Sequence, residues 1–266
     1  MSEPDARLNR VEIDAHFVRR RNALLARGIF SGLYEDYYLH LLQHGLQIEP
    51  GPDRLLKGAL AALALHLASR PWREVSAWTL HFREPSLNLF VTGNSLDGNV
   101  VGRAFTEDIR ELPCDILHAQ VTSRDHPLRQ STVQLESSGI FEAVETYYLQ
   151  SEQRPARLFQ LGPEDYAMVS AQPGCDMTWF ADLDTESVRA IPDAEEVALL
   201  EQRRYAFDCG CTIDRLYPLL APLSDEVIDD LFAGDASVTV QCPRCAARFE
   251  IQRRDLEDFQ SRRASS

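Results

Sequence analysis

The stretch that decides the fold of this chain is residues 209–245, CGCTIDRLYPLLAPLSDEVIDDLFAGDASVTVQCPRC. It begins with Cys209-Gly-Cys211 and ends with Cys242-Pro-Arg-Cys245, so thirty residues separate two close cysteine pairs. Each pair can occupy two corners of a tetrahedron, and the spacer lets the chain fold back, which is the arrangement of an all-thiolate zinc site. We therefore predict that these four cysteines bind one Zn²⁺ ion.

The residues around the two pairs predict a small folded unit. Leu216 and the leucines that follow it have helical spacing, and Ser224 can cap a second helix that Gly234 ends. Apolar and polar residues then alternate on both sides of the second pair. This alternation predicts two strands with the second cysteine pair at the tip of their hairpin.

Composition limits the setting in which the chain works. Its 41 acidic and 27 basic side chains give a formal charge of −14, which repels phosphate backbones, so we expect no nucleic-acid partner. The first residues are polar, and the most apolar stretch, residues 59–68, is too short to cross a bilayer, so we expect no membrane partner. The sequence thus predicts a cytoplasmic protein, where paired cysteines are metal ligands or redox switches more often than structural disulfides.

The rest of the chain predicts an α+β fold in three parts. Residues 1–165 form a mixed N-terminal domain of β-sheet and helices, residues 166–205 an acidic linker with proline, and residues 206–266 the zinc-binding unit. Within the first part we predict a buried helix over residues 53–69, strands over 77–84, 87–92 and 100–105, and a helix over 139–151.

The metal should decide whether the last unit is folded. Segments of about sixty residues bury too little apolar surface to be comfortably stable alone. A structural zinc ion contributes about 10–16 kcal/mol, which equals or exceeds the whole stability of a typical domain. Oxidation within each pair would give Cys209–Cys211 and Cys242–Cys245 disulfides and eject the ion. Such short crosslinks cannot replace the tertiary clamp, so we hypothesise that oxidation unfolds the unit.

Other polar residues carry weaker signals. Arg215 and Arg244 lie close in sequence to the cysteines and are candidates to offset the negative charge of a four-thiolate centre. Cys114 and Cys175 have no partner at ligand spacing, and a structural role is expected for both. A histidine pair, His40 and His44, is one helical turn apart without an intervening HExxH-type glutamate, which favours a helix surface.

The cysteine spacing, Cys-x-Cys followed by about thirty residues and Cys-x-x-Cys, resembles that of the heat-shock protein 33 family of redox-regulated bacterial chaperones. The segment Tyr148-Leu-Gln-Ser-Glu-Gln153 is similar to the Tyr-x-x-Ser-Glu-Gln segment of that family. Arg27-Gly28 and Val101-Gly102-Arg103-Ala104 are similar to two further family segments. The resemblance is strongest over residues 139–153 and 209–251.

The resemblance implies a holdase that needs no ATP and binds unfolded client proteins under oxidative stress. It implies that zinc holds the protein inactive and that formation of the two disulfides activates it, as the C-terminal unit and linker unfold and uncover apolar surface. A homodimer of the oxidised form is left open. The absence of a Gly-rich phosphate loop or a nucleophile elbow agrees with a protein that is not an enzyme.

Two other functions stay open on the sequence. Cys242 and Cys245 could form the active site of a thiol-disulfide oxidoreductase, although such pairs usually begin a helix, whereas this pair is predicted in a hairpin. The four cysteines could also build a zinc-stabilised interaction module without redox switching. Insulin reduction tests the first alternative, and a client-aggregation assay on reduced and oxidised protein tests the second.

Overall fold

The structure is a computed structural model that describes residues 9–123 and 127–264. Within them the strands are β1 (Val11–Val18), β2 (Ala23–Ile29), β3 (Glu74–Phe82), β4 (Leu87–Asn94), β5 (Asn99–Phe105), β6 (Ile116–Ser123), β7 (Arg129–Gln134), β8 (Ala156–Gln160), β9 (Asp165–Ala171), β10 (Val197–Phe207), β11 (Ser237–Gln241) and β12 (Arg248–Gln252). The helices are α1 (Ser31–Gln43), α2 (Pro50–Ala68), α3 (Ile140–Gln150), α4 (Met177–Ala181), α5 (Thr185–Ala194), α6 (Ile213–Leu220), α7 (Asp225–Phe232) and α8 (Arg253–Ala264).

Ten strands form one sheet in the order β7-β6-β3-β4-β5-β10-β1-β2-β9-β8. Neighbouring strands are antiparallel except at one junction, where β10 runs parallel to β5. That junction pairs Ala206 with Asn99 and Phe207 with Val100. It joins one antiparallel half, in the order β7-β6-β3-β4-β5, to a second antiparallel half, in the order β10-β1-β2-β9-β8, and it lies at the carboxyl end of β10.

The central helix α2 fills the core on one face of this sheet. Its residues 59–68 are all buried, as the nearly unbroken apolar sequence predicts, and the helix contacts β4, β5 and β9. His66 lies in this core with its Nδ1 2.7 Å from the hydroxyl of Tyr148 on α3, and its ring packs beside Trp78 of β3. The predicted helices and hairpin strands of the first part are therefore confirmed, and the α+β fold class with them.

The segment 166–205, predicted as an acidic linker, instead contains most of β9, both short helices α4 and α5, and most of β10. In β9, Tyr166 and Met168 face one hydrophobic core, and Ala167 and Val169 face the other, so the strand is buried on both sides. The acidic residues that suggested a linker lie on α5 or at the ends of the elements beside it, and Asp184 caps α5 by accepting from Ser187 N–H. The acidic composition thus reflects helix caps and short connections between folded elements.

The C-terminal unit, α6 to α8 with the hairpin β11–β12, has its own small core. The core consists of Leu216, Tyr217, Ile228, Phe232, Ile251 and Leu256. The predicted helices and hairpin are present, and α8 adds a helix that the sequence analysis did not predict. Among the described residues, none of the helices is long and apolar enough to cross a membrane.

Ser224 caps α7 as its sequence context predicts. Its hydroxyl accepts a 3.4 Å hydrogen bond from Val227 N–H, in front of a first turn that carries Asp225 and Glu226. Replacing Ser224 with Ala should lower the unfolding free energy of the C-terminal unit by about 1 kcal/mol. Thermal denaturation of the metal-loaded protein measures this loss. A Ser224→Asp control keeps an acceptor at the cap and should stay near wild type; equal losses in both variants would contradict a capping role.

Candidate metal centre

Four cysteine sulfurs meet between the sheet and the tip of the C-terminal hairpin. The Sγ atoms of Cys209, Cys211, Cys242 and Cys245 all lie within 4.8 Å of one another. The Cys209–Cys242 separation is 3.7 Å and the Cys211–Cys245 separation is 3.4 Å. Sulfurs about 2.3 Å from a tetrahedral zinc ion would be about 3.8 Å apart. The cluster that the sequence predicts is therefore assembled, and it can hold a metal ion.

The first pair follows directly from the sheet. Asp208 alone separates Phe207, the last residue of β10, from Cys209. The turn between the two cysteines needs Gly210, which has φ +60°, and its N–H donates to the Asp208 carboxylate at 2.7 Å. Arg215 donates from Nη1 to the Gly210 carbonyl at 2.5 Å, so this predicted neighbour of the site contacts the backbone between two sulfurs.

The second pair lies in the tight turn between β11 and β12. The N–H of Cys242 donates to the Ala247 carbonyl at 2.8 Å, and the N–H of Ala246 donates to the Cys242 carbonyl at 2.9 Å. Cys242 and Cys245 are 3% and 2% exposed, so the turn buries these sulfurs while its backbone stays hydrogen-bonded. Arg244, between them, lines a cleft with Pro243 and Phe105.

Side chains from the N-terminal sheet and α1 hold this turn in place. Nε2 of His40 is 3.0 Å from the carbonyl oxygen of Cys245, and Arg103 of β5 donates from Nη1 to the carbonyl of Cys242 at 3.2 Å. The second Arg103 nitrogen, Nη2, donates to Gln241 Oε1 at 3.2 Å. Both cysteine carbonyls of the second pair are therefore bound by residues far away in sequence.

Ring contacts reinforce this docking. The His40 ring packs edge-on against Phe207 with 5.4 Å between centroids, and the His44 ring lies 5.6 Å from that of Phe249 on β12. The hairpin tip also joins the core of the large sheet, since Cys242, Cys245 and Ala247 belong to the same buried cluster as α2. The sulfur cluster is thus part of the contact between the two parts of the chain.

The four thiols change one another's acidity. The pKa of Cys242 lies well below its ordinary value because the thiols of Cys209, Cys211 and Cys245 donate hydrogen bonds to its thiolate. The pKa of Cys245 is raised, since its proton is held by the three other sulfurs. The first thiol of the cluster therefore loses its proton readily, and the last thiol retains its proton. A bound cation would favour ionisation of all four thiols by offsetting the repulsion between the thiolates.

Burial lowers the pKa of two side chains beside the cluster, Arg103 and His40. Burial lowers the pKa of Arg103, and the thiolates of Cys242 and Cys245 act against that shift. Burial also lowers the pKa of His40, so its ring is neutral near pH 7 and can bond a carbonyl through a protonated Nε2. Arg103 thus brings a positive charge to the edge of the cluster.

Sequence reasoning found the four sulfurs and missed part of their surroundings. His40 was predicted on a helix surface, but in the structure its ring contacts the second cysteine pair. Arg103 lies in the segment Val101-Gly102-Arg103-Ala104, which the sequence analysis singled out for its family resemblance. Nothing in the sequence indicated that this arginine contacts the cysteine pair. Cys114 and Cys175 lie outside the sulfur cluster.

Comparison with known proteins finds one matching family model and several similar relatives. The model of the Hsp33 protein family matches residues 167–252. A 33 kDa chaperonin of Edwardsiella ictaluri is 27% identical over 167 residues, which covers 53% of this chain and 57% of that protein. A 33 kDa chaperonin of an Enterobacter species is 27% identical over 157 residues, covering 50% and 54%. The chain thus spans little more than half the length of these relatives.

The fold comparison covers nearly the whole molecule. The crystal structure of a 33 kDa chaperonin, a heat-shock protein 33 homologue from Thermotoga maritima, superposes with a TM-score of 0.70 at 15% identity. The superposition covers 98% of this chain and 100% of the other, so the two proteins share a fold. Sequence and fold together confirm the predicted resemblance of this chain to the heat-shock protein 33 family.

Proposed function

We propose that this protein is an ATP-independent holdase chaperone that binds unfolded proteins and is controlled by the redox state of its four clustered cysteines. The observation that carries the proposal is the convergence of Cys209, Cys211, Cys242 and Cys245, with sulfurs within 4.8 Å of one another, at the contact between sheet and hairpin. The relatives named 33 kDa chaperonin support the chaperone part. In this proposal the protein is cytoplasmic and not an enzyme.

In the reduced state the four thiolates would bind Zn²⁺. The ion, when bound, would crosslink the end of β10 to the hairpin tip through these four residues. Arg215 supports the first pair through the Gly210 carbonyl, and we retain Arg244 as a neighbour that offsets charge. The resting protein would be inactive because the docked hairpin covers apolar residues of α1 and α2.

Oxidation would undo this arrangement. Two thiolates transfer two electrons to one peroxide molecule, which takes two protons from solvent and leaves as two water molecules, and an S–S bond forms. We propose Cys209–Cys211 and Cys242–Cys245 as the products. The 3.7 Å and 3.4 Å contacts join sulfurs of different pairs, so disulfide mapping by mass spectrometry must decide between the two pairings.

Undocking the hairpin would uncover apolar surface for clients. A cleft of about 320 Å³ lies beside Cys245, and Tyr37, Leu41, Ile48 and Leu56 contribute to its walls. Tyr37 packs on Phe207, whose ring also contacts His40. Removal of the hairpin would widen this cleft and uncover these four apolar side chains, and exposed apolar side chains are what a holdase needs.

Light scattering of a thermally unfolded client tests the proposal. We expect metal-loaded, reduced protein to leave aggregation unchanged and peroxide-treated protein, at equal concentration to the client, to suppress most of it. Oxidised Cys114→Ser/Cys175→Ser double variant should act like wild type, since these thiols lie outside the cluster. Equal behaviour of reduced and oxidised protein would favour a zinc-stabilised module, and insulin reduction would favour an oxidoreductase.

A further inference from the structure

The two cysteine pairs are mounted on different parts of the molecule. The first pair is fixed to the large sheet, because one residue, Asp208, links β10 to Cys209. The second pair is carried by the hairpin β11–β12, whose strands pair only with each other in the described part of the chain. The retention of a metal ion held by both pairs therefore depends on how firmly the hairpin is docked against the sheet.

Two side chains perform this docking at the ligand residues themselves. His40 bonds the carbonyl of Cys245, and Arg103 bonds the carbonyl of Cys242. Neither is a sulfur ligand, and each comes from an element of the N-terminal part, α1 for the histidine and β5 for the arginine.

An aromatic ring packs against each of these two side chains and helps to fix its orientation. The His40 ring rests on Phe207, two residues before the first sulfur, so one aromatic side chain steadies both the strand end and the histidine. The Arg103 guanidinium lies 4.1 Å from the centroid of the Phe105 ring. Pre-oriented donors lose little conformational freedom when they bind, which makes their hydrogen bonds effective.

We propose that His40 and Arg103 are positioning residues that hold the hairpin-borne cysteine pair against the sheet-borne pair and so slow the loss of the metal. This inference rests on the proposed function, because it assumes that the cluster binds Zn²⁺. While both contacts are made, a sulfur that leaves the ion stays within reach and rebinds, as in any multivalent attachment. Without these contacts the hairpin-borne pair would move away from the sheet-borne pair more readily, and a bound ion would be lost faster.

The rate of metal transfer to a chromogenic chelator tests this inference at one fixed pH. The comparison uses full-length, zinc-loaded, reduced protein. We expect His40→Ala, which loses one hydrogen bond, to release zinc about fivefold faster than wild type, and Arg103→Met, which loses two, to release it at least about fivefold faster. His40→Gln and Arg103→Lys keep a donor, and their rates should return towards wild type.

Matched controls separate positioning from general damage. His118→Ala removes a histidine on β6, and Arg110→Met removes the charge of an exposed arginine close to β5. Both should release zinc like wild type, and hydrogen–deuterium exchange should show all variants equally protected in the sheet and in the C-terminal unit. Wild-type rates in His40→Ala and Arg103→Met would overturn the inference and leave the proposed function intact. Reduced wild type without stoichiometric zinc would overturn both.

Discussion

Replacing Cys245 with Ser should abolish stoichiometric metal binding and unfold the C-terminal unit while the ten-stranded sheet stays folded. Cys245 is 2% exposed, so the substitution leaves a hydroxyl, a poor zinc ligand, inside a buried three-sulfur site. The lost contribution is large, because structural zinc supplies about 10–16 kcal/mol. The unit's own core of six buried residues is too small to compensate.

Two measurements report this outcome. Atomic absorption should show the metal content falling from about one ion per chain to near zero. Hydrogen–deuterium exchange should show lost protection in α6 to α8 and retained protection in the strands of the large sheet. The Cys114→Ser and Cys175→Ser variants serve as controls and should keep both metal and protection. A Cys245→Ser protein that is metal-free but fully protected would show that the metal does not hold this unit.

Lowering the pH from 7 to 5 should destabilise the N-terminal sheet through His66. Burial lowers the pKa of His66 well below its usual value, and Arg70, Arg154 and Arg129 lower it further. Its Nε2 has no hydrogen-bond partner among the described residues, and its Nδ1 meets the Tyr148 hydroxyl, so the folded protein holds the ring neutral.

The loss of stability at low pH follows from proton linkage. Above about pH 6.5 the imidazole is neutral in both folded and unfolded chains, and the full stability is present. Below that value the unfolded chain binds a proton that the folded core excludes, so the unfolding free energy falls by up to about 1.4 kcal/mol per pH unit, or about 2 kcal/mol at pH 5. His40, whose pKa burial also lowers, adds to the same slope.

Denaturant unfolding at several pH values, followed by tryptophan fluorescence, isolates the His66 contribution. Trp72, Trp78 and Trp179 all precede the first cysteine of the cluster, so the signal reports the sheet and not the metal centre. A His66→Gln variant should lose most of the dependence between pH 6.5 and 5. A His118→Gln control should retain it, because His118 is only partly buried. An unchanged slope in His66→Gln would assign the acid sensitivity to other groups.

Local patterns predicted much of the fold. The apolar run of α2 and the alternation in β3, β4 and β5 depend on neighbouring residues, and the structure has these elements close to their predicted bounds. The four sulfurs were also accessible to sequence reasoning, since chelating pairs are visible as short spacings. The folded structure of segment 166–205 was not accessible to sequence reasoning. The burial of β9 on both faces depends on the packing of α2, α4 and α5 against it.

The side chains around the cysteine cluster could not be predicted because their contacts join residues far apart in sequence. His40 meets a residue 205 positions later, and Arg103 meets one 139 positions later. No periodicity or spacing links such partners; the parallel junction of β10 with β5 brings them together. Nearness in sequence predicts that Arg215 and Arg244 offset the charge of the cysteines. Arg215 contacts the Gly210 carbonyl, and the effect of both arginines on the sulfurs stays a prediction.

The junction between the two halves of the sheet has a mechanical consequence. Its two residue pairs end at Phe207, so the seam of the sheet and the sulfur cluster are separated by a single residue. If the C-terminal unit is released from the sheet, a pull on it would therefore act first on the pairing of β10 with β5, which has only two residue pairs in the described part of the chain. We expect opening after oxidation to start at this seam and to stop where α2 clamps β4, β5 and β9 from one side.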